Sequence, residues 1–252
     1  MINFQKLCMD ISIIASGSNG NSTLVESKDT TVLIDAGKSG KEIESRLKKM
    51  GKSLENLDAI LVTHSHSDHT QAVGILARKY NVPAYMQSAT KYELKEKLGK
   101  LDVKTFKHNF KVNNLEIKPV ATMHDVVSTG FVINKFGLFT DTGIVTKQME
   151  NAIPKLKSIL LESNHDVDML LNGPYPYYLK KRIMSDSGHL NNSHASEFIQ
   201  NHGKHLSTVL LGHLSGTNTT LKMTKGTFET IVKHKLNYEV LNRNRQSGMF
   251  NL

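Results

Sequence analysis

The chain has 252 residues, 38% of them hydrophobic, with a formal net charge of +9 and a pI near 9.4, which suits a globular protein with a sizeable core and leaves polyanions as possible partners. No stretch is apolar for long enough to span a bilayer and residues 1–6 lack a signal-peptide apolar region, so we expect neither a membrane nor a secreted protein. Cys8 is the only cysteine, which excludes an internal disulfide and a thiolate metal cage and favours a cytoplasmic location.

The predicted elements alternate between strands and helices along the whole chain. Strands are predicted at residues 11–15, 23–26 and 31–35, followed by a helix over 39–50 that ends at Gly51 and a helix over 70–80 that stops before Pro83. A further helix and strand are predicted after Lys225. No linker, repeat or low-complexity tract interrupts the pattern, so residues 1–252 are predicted to form one domain without an appended nucleic-acid-clamping domain.

Positive charge is concentrated in a few segments. Lysines gather in residues 38–52 and 91–111, and Lys180, Lys181 and Arg182 form a third group. These groups could contact nucleic acid, but they could equally be solvated helix faces, so the charge supports a nucleic-acid hypothesis without establishing one.

Five predicted strands end at side chains that can bind metal. The strand over 59–63 leads to His64, the strand over 117–122 to His124, the strand over 138–140 to Asp141, the strand over 159–161 to residues 162–166, and the strand over 209–212 to His213. Sites commonly gather at the carboxyl ends of strands in α/β layers. We therefore expect these side chains to meet at one edge of the fold.

The run from Thr63 to His69 contains three imidazoles and one carboxylate within six residues. Since alternate residues of an extended segment point the same way, His64 and His66 are predicted to bind one ion, and Asp68 and His69 a second. His124 would complete the first site, His213 the second, and Asp141 would bridge the ions. Two divalent ions would acidify a shared water, and this donor mixture admits zinc, manganese or iron.

The pattern His64-x-His66-x-Asp68-His69, with His124, Asp141 and His213 downstream, resembles the metallo-β-lactamase fold superfamily. Several further segments resemble its bacterial YycJ/WalJ group, over nearly the whole chain: residues 15–21, 76–80, 140–143, 162–166 and 185–189, Tyr175-Pro176 with residues 181–183, and residues 213–215. Asn191 and Thr219 depart from the group, which usually has Ser and Asn at these positions, and both departures could alter substrate contacts.

The resemblance implies an α+β fold, the αβ/βα four-layer sandwich, with a dinuclear site at one edge. It also implies a phosphodiesterase, expected to be a double-strand DNA 5′-to-3′ exonuclease linked to DNA repair, with DNA as substrate and a metal-bridging hydroxide as nucleophile. Asp68 is expected to be both a metal ligand and a catalytic residue. Zinc or manganese is the expected metal, with iron possible.

Two histidines remain after the ligands are assigned. His189 is the preferred general acid because it follows Gly188 just before a predicted helix cap at Ser193, with His165 or water as alternatives. A purely structural role is equally compatible with either histidine. Asp125 and Asp166 each follow a histidine and could orient metal ligands by accepting hydrogen bonds from them.

Two loops allow two interpretations each. Residues 17–22 could bind phosphate through backbone N–H groups, but a tight turn between the first strands is preferred. Tyr175, Tyr177 and Tyr178 lie beside basic residues, as in surfaces that follow a nucleic-acid strand, although packing of a proline-broken loop is slightly preferred.

Two other functions remain open. Hydrolysis of a small ester, thioester or lactam is possible on the same fold, because fold does not determine substrate. A nucleic-acid-binding protein with a purely structural metal is disfavoured, because the chain offers more ligands than one closed site needs.

Overall fold

The computed structural model describes residues 9–251 of the chain. Cys8 and residues 1–6, which bear on the disulfide and signal-peptide predictions, lie outside the described residues. Within the described part, the strands form two seven-stranded sheets, and helices cover both outer faces. None of the helices in residues 9–251 is long and apolar enough to cross a bilayer.

The first sheet uses the amino-terminal strands and one strand from the end of the described chain. Its strands are β1 (Asp10–Ala15), β2 (Ser22–Glu26), β3 (Thr31–Ile34), β4 (Ala59–Leu61), β5 (Ala84–Met86), β6 (Val103–Thr105) and β14 (Met249–Asn251). The spatial order is β14-β1-β2-β3-β4-β5-β6. Pairing is parallel from β3 to β6 and antiparallel on the other side of β3.

The second sheet has the same arrangement. Its strands are β7 (Phe110–Val112), β8 (Leu115–Ala121), β9 (Thr129–Ile133), β10 (Phe136–Phe139), β11 (Ser158–Glu162), β12 (Thr208–Gly212) and β13 (Asn237–Val240), in the spatial order β13-β12-β11-β10-β9-β8-β7. Strands β10 to β13 pair in parallel, and β7 to β10 pair antiparallel. Strands β8, β10, β11 and β12 therefore point the same way and end at one edge.

Nine α-helices connect or flank these strands in the described residues. They are α1 (Gly40–Lys49), α2 (Ser67–Thr70), α3 (Val73–Tyr80), α4 (Ser88–Leu98), α5 (Lys147–Ala152), α6 (Val167–Asn172), α7 (Tyr177–Ile183), α8 (Asn192–His202) and α9 (Leu221–Ile231), with a short 3-10 helix at Ile153–Lys155. Helices α1, α3 and α4 pack on the first sheet, and α5, α8 and α9 on the second.

Successive side chains of each strand point to opposite faces and so belong to different hydrophobic clusters. One cluster lies between the two sheets, and each sheet forms another with its own helices. In β4, Leu61 faces the other sheet, while Ile60 faces the helices of its own layer. In β11, Leu160 likewise faces the other sheet, and Leu161 faces helices α5, α8 and α9. The predicted αβ/βα four-layer sandwich is confirmed.

Most predicted element boundaries agree with the structure within two residues. Helix α1 is capped by Ser39, whose side chain accepts a hydrogen bond from Glu42 N, and Gly51 follows it at φ +69°. The strand predicted to reach Thr63 ends earlier, at Leu61, and the strand predicted to reach Asp35 ends at Ile34.

The helix predicted over residues 70–80 is present as α3 but begins later, at Val73, because a break at residues 71–72 separates it from the short helix α2. The carbonyl groups of Asp68 and His69 accept hydrogen bonds from Asn21 N and Ala36 N, both at 2.8 Å. A continuous helix needs those carbonyls for residues 72 and 73. The break therefore ties the histidine-rich segment to the loops after β1 and β3.

Candidate metal centre

The structure brings all seven predicted ligands together at one edge of the two sheets. They enter from four chain segments, because His64, His66, Asp68 and His69 follow β4, while His124, Asp141 and His213 follow β8, β10 and β12. His64, His69, Asp141 and His213 are buried, whereas Asp68 and His66 are partly exposed. The cluster therefore has a closed interior and an open side.

The ligand atoms fall into overlapping groups within 4.8 Å of one another. One group contains His64, His66 and His124, and another contains Asp68, His69 and His213. Asp141 belongs to a third group with His64 and His69, which contains one member of each of the first two. A fourth group joins Asp141 to Glu162, His189 and His213. The grouping is compatible with two ligand sets that share Asp141, and this division stays a prediction.

Several buried polar atoms in this cluster have no hydrogen-bond partner among the described residues. They are Nε2 of His64, His124 and His213, and Oδ2 of Asp141. Leaving such atoms buried and unpaired costs about 1–3 kcal/mol each. A divalent cation would satisfy imidazole nitrogens and a carboxylate oxygen together, so the residues fit metal ions.

Three residues of the cluster have left-handed backbone conformations. Asp35, Asp141 and His213 have φ values of 58°, 56° and 54°, and the other described non-glycine residues with positive φ are asparagines. Each such residue costs on the order of 1 kcal/mol or more and persists where the surroundings enforce it. The sharp turn directs each side chain into the cluster at the end of its strand.

Asp35 is a functional residue that the sequence analysis missed. Its Oδ2 lies 2.7 Å from Nδ1 of His69 and accepts from the Thr63 hydroxyl at 2.8 Å. Because a carboxylate only accepts, Nδ1 carries the hydrogen and the other ring nitrogen of His69 faces the cluster. That nitrogen lies 3.0 Å from Asp141 Oδ2 and 2.9 Å from the amide nitrogen of Asn21. The signal was a lone aspartate at a predicted strand end.

Glu162 orients two histidines at once. Its Oε1 accepts from Nδ1 of His213 at 2.7 Å and from Nδ1 of His189 at 2.8 Å. Its Oε2 accepts from the backbone N–H groups of Thr142 and Leu190 at 2.9 and 3.3 Å. Both oxygens are occupied, so Glu162 supports the cluster through hydrogen bonds although its carboxylate is close enough to be a ligand.

Mutual interactions control the charge of the cluster. Burial alone would lower the pKa of His213, but Asp141 and Glu162 outweigh it and raise the pKa to about 10. Burial would raise the pKa of Asp68, but His213 and His69 lower it to about 2. For His64, burial dominates and holds the pKa well below its usual value. Since ligating histidines must be neutral, metal binding would release protons.

Asp125 lies beside the first ligand set, whereas Asp166 does not. Asp125 Oδ1 is 3.4 Å from Nε2 of His66 and 3.3 Å from Nε2 of His124. Asp166 instead caps α6, accepting from Met169 N at 2.9 Å. The suggestion that Asp166 orients a ligand is therefore wrong, because its carboxylate is used to cap a helix.

His189 and His165 have different environments. The ring of His189 lies beside the rings of His124 and His213, at centroid distances of 5.2 and 5.3 Å. Burial would lower its pKa, but Glu162 outweighs burial and raises it. His165 is buried, neither ring nitrogen has a hydrogen-bond partner among the described residues, and burial lowers its pKa to about 4. Glu162 thus favours the protonated form of His189, whereas burial favours the neutral form of His165.

The helix cap predicted at Ser193 is wrong. Asn191 caps α8 by accepting a hydrogen bond from His194 N at 2.8 Å. The serine that the YycJ/WalJ group usually has at this position could cap the helix in the same way. Thr219 Oγ1 accepts from Asn192 Nδ2 at 3.0 Å and lies 3.0 Å from the Thr224 hydroxyl. Both departures from the group make local structural contacts.

Residues 17–22 form the preferred turn between β1 and β2. Gly20 N donates to Gly17 O at 2.9 Å, and the Asn21 side chain closes the turn by pairing with both backbone groups of Gly17 at 3.1 Å. Asn21 also reaches His69. The turn therefore contacts the candidate metal centre through Asn21 and His69.

Comparison with known proteins places this geometry in a family. Residues 15–143 match the family described as the Metallo-beta-lactamase superfamily. Exodeoxyribonuclease WalJ of Streptococcus pneumoniae serotype 2 (strain D39 / NCTC 7466) is 41% identical over 221 residues, 82% of each chain. Exodeoxyribonuclease YycJ of Bacillus anthracis is 34% identical over 90% of each chain. The crystal structure of the metallo-β-lactamase fold protein YhfI from Bacillus subtilis matches 98% of this chain and 100% of its own, with a TM-score of 0.76 at 18% identity, a likeness of fold alone.

Proposed function

Because the chain belongs to the metallo-β-lactamase superfamily, we propose that it is a metal-dependent exodeoxyribonuclease that degrades double-stranded DNA from the 5′ end. The observation that carries the proposal is the cluster of seven ligand-type side chains, four of which have a buried nitrogen or oxygen atom without a hydrogen-bond partner among the described residues. The named relatives supply the substrate, since both are exodeoxyribonucleases. A cytoplasmic location and a role in DNA repair belong to the same proposal.

The chain's own residues would hold two ions. His64, His66 and His124 would bind one, Asp68, His69 and His213 the other, and Asp141 would contact both. When bound, such ions acidify and position the attacking water and offset negative charge on the phosphoryl oxygens. Imidazoles outnumber carboxylates in this set, which favours zinc, while the two carboxylates admit manganese or iron.

The remaining residues would orient the reaction. Asp35 accepts a hydrogen bond from Nδ1 of His69, and Glu162 accepts one from Nδ1 of His213. These hydrogen bonds fix the orientation of the two rings. His189, held by Glu162 beside the rings of His124 and His213, would donate a proton to the leaving oxygen. The net charge of +9 favours approach of the DNA polyanion.

A nuclease assay on duplexes labelled at the 5′ or the 3′ end tests the proposal. Metal-depleted protein should be inactive, and addition of Mn²⁺, Zn²⁺ or Mg²⁺ in separate reactions should restore release of nucleotides from the 5′ end with at least one of them. Cleavage of a small ester or lactam, with none of either labelled duplex under any of these conditions, would overturn the DNA substrate and favour the small-ester alternative.

Replacing His189 with alanine should slow DNA cleavage by about 10²–10⁴-fold, the usual contribution of a general acid. The same variant should lose much less activity on a nitrophenyl phosphodiester, because the nitrophenolate leaving group needs no proton. Metal content should be unchanged, since His189 is outside the proposed ligand set. His108, exposed in the turn between β6 and β7, provides the matched His108→Ala control. Equal losses on both substrates would argue against the acid role.

A further inference from the structure

Helix α7 presents two aromatic rings to solvent. Tyr177 and Tyr178 are 78% and 74% exposed, the two highest values among the large hydrophobic side chains of the described residues. Packing of the loop, the interpretation preferred from sequence, is therefore wrong for these two rings. Adjacent exposed rings are a feature of surfaces that bind other molecules.

The segment that carries the rings is attached at both ends to loops of the candidate metal centre. At its start, the Tyr175 hydroxyl lies 3.2 Å from Thr217 Oγ1, in the loop that follows His213. At its end, the Arg182 guanidinium contacts the carboxylate of Asp125, the residue after His124. The rings therefore lie on a helix held beside the open side of the centre.

Basic residues share the helix with the rings. Tyr177 and Lys181 are four residues apart, as are Tyr178 and Arg182, so each ring has a cation one turn away on the same face. Lys180 adds a third positive charge and donates to Leu171 O at 2.7 Å. Rings that stack on bases beside cations that contact phosphates are the combination found in surfaces that bind single strands.

We propose that Tyr177 and Tyr178, with Lys181, form a stacking platform for unpaired bases of a DNA strand whose end enters the metal centre. Stacking needs a free base face, which an intact duplex offers only at its end, so the platform selects frayed or single-stranded ends. The identity of the ligand as DNA rests on the proposed function, but binding to the platform requires no cleavage.

The binding test uses a nuclease-resistant phosphorothioate single strand and the full chain. Tyr177→Ala/Tyr178→Ala should bind it about ten-fold or more weakly, given the usual strength of base stacking on aromatic rings. Tyr177→Phe/Tyr178→Phe should bind as the unaltered protein does, because the ring is kept. Tyr92→Ala is the matched control, since Tyr92 on α4 is 72% exposed with Lys95 Nζ 5.0 Å from its ring centroid.

A fluorescence measurement reports stacking directly. The chain contains no tryptophan, so Tyr178→Trp introduces a single reporter, which the oligonucleotide should quench while an abasic strand of equal length should not. Tyr92→Trp should show no quenching. Unchanged affinity of the double alanine variant, or equal quenching by the abasic strand, would overturn the platform. Quenching by bases in a protein that cleaves neither labelled duplex would support the platform and count against the proposed reaction.

Discussion

Replacement of Asp68 by alanine should reduce DNA cleavage by at least ~10³-fold while leaving the fold intact. Asp68 Oδ2 lies 3.6 Å from Nε2 of His69 and 3.8 Å from Nε2 of His213, so its loss removes the carboxylate of the second ligand set. The contribution of a metal ion to charge stabilisation is several kcal/mol, and ~4 kcal/mol corresponds to this factor. The side chain is 25% exposed, so its truncation opens no core cavity.

The measurement combines the labelled-duplex assay, metal content and thermal unfolding. Asp102→Ala is the matched control, because Asp102 is exposed and precedes β6, at the opposite edge from the centre. The control should keep full activity. His69 is less suited to this test, since it is fully buried and its removal leaves Asp35 without its imidazole partner. An Asp68→Ala protein with full nuclease activity would contradict the assignment of Asp68.

Replacement of Glu162 by glutamine should weaken metal binding by about 10–100-fold, the usual cost of losing a group that orients a ligand. The carboxylate accepts from two imidazoles through one oxygen and two backbone N–H groups through the other. The glutamine NH₂ group would face N–H donors in either orientation, leaving at least one of them unpaired. Glu162→Gln should therefore also lower the free energy of unfolding by about 1–3 kcal/mol.

Metal titration with activity as the readout separates weaker metal binding from the loss of the carboxylate contact to His189. Excess metal should restore the activity that was lost through weaker metal binding. Activity that was lost because His189 no longer faces a carboxylate should not return. Glu150→Gln is the control, because Glu150 forms an ion pair with the exposed Lys147 on α5, away from the ligand cluster. Wild-type metal affinity in Glu162→Gln would contradict the orienting role.

The ligand cluster was predictable because its signal is local. Three histidines and an aspartate within six residues, after an apolar strand, need no knowledge of distant contacts. His124, Asp141 and His213 were found by the same rule, that strands of one sheet deliver their ends to one edge. Glu162 was noted only as one of the residues at a strand end, and Asp35 was not noted as a site residue. The orienting role of both carboxylates was missed, because it depends on which imidazole each one faces.

The sequence by itself determined the alternation of strands and helices, the strand ends that meet and the ligand-type residues they carry, because hydrophobic periodicity and residue spacing are properties of short segments. The αβ/βα sandwich followed from the resemblance of the sequence motifs to a known family. Only the tertiary structure decided which atoms remain free to bind. The hydrogen bonds of Asp35 and Glu162 to Nδ1 direct the opposite nitrogens of His69 and His213 into the cluster. The tertiary structure likewise decided that Tyr177 and Tyr178 are exposed beside the centre, since burial depends on contacts between segments far apart in the chain.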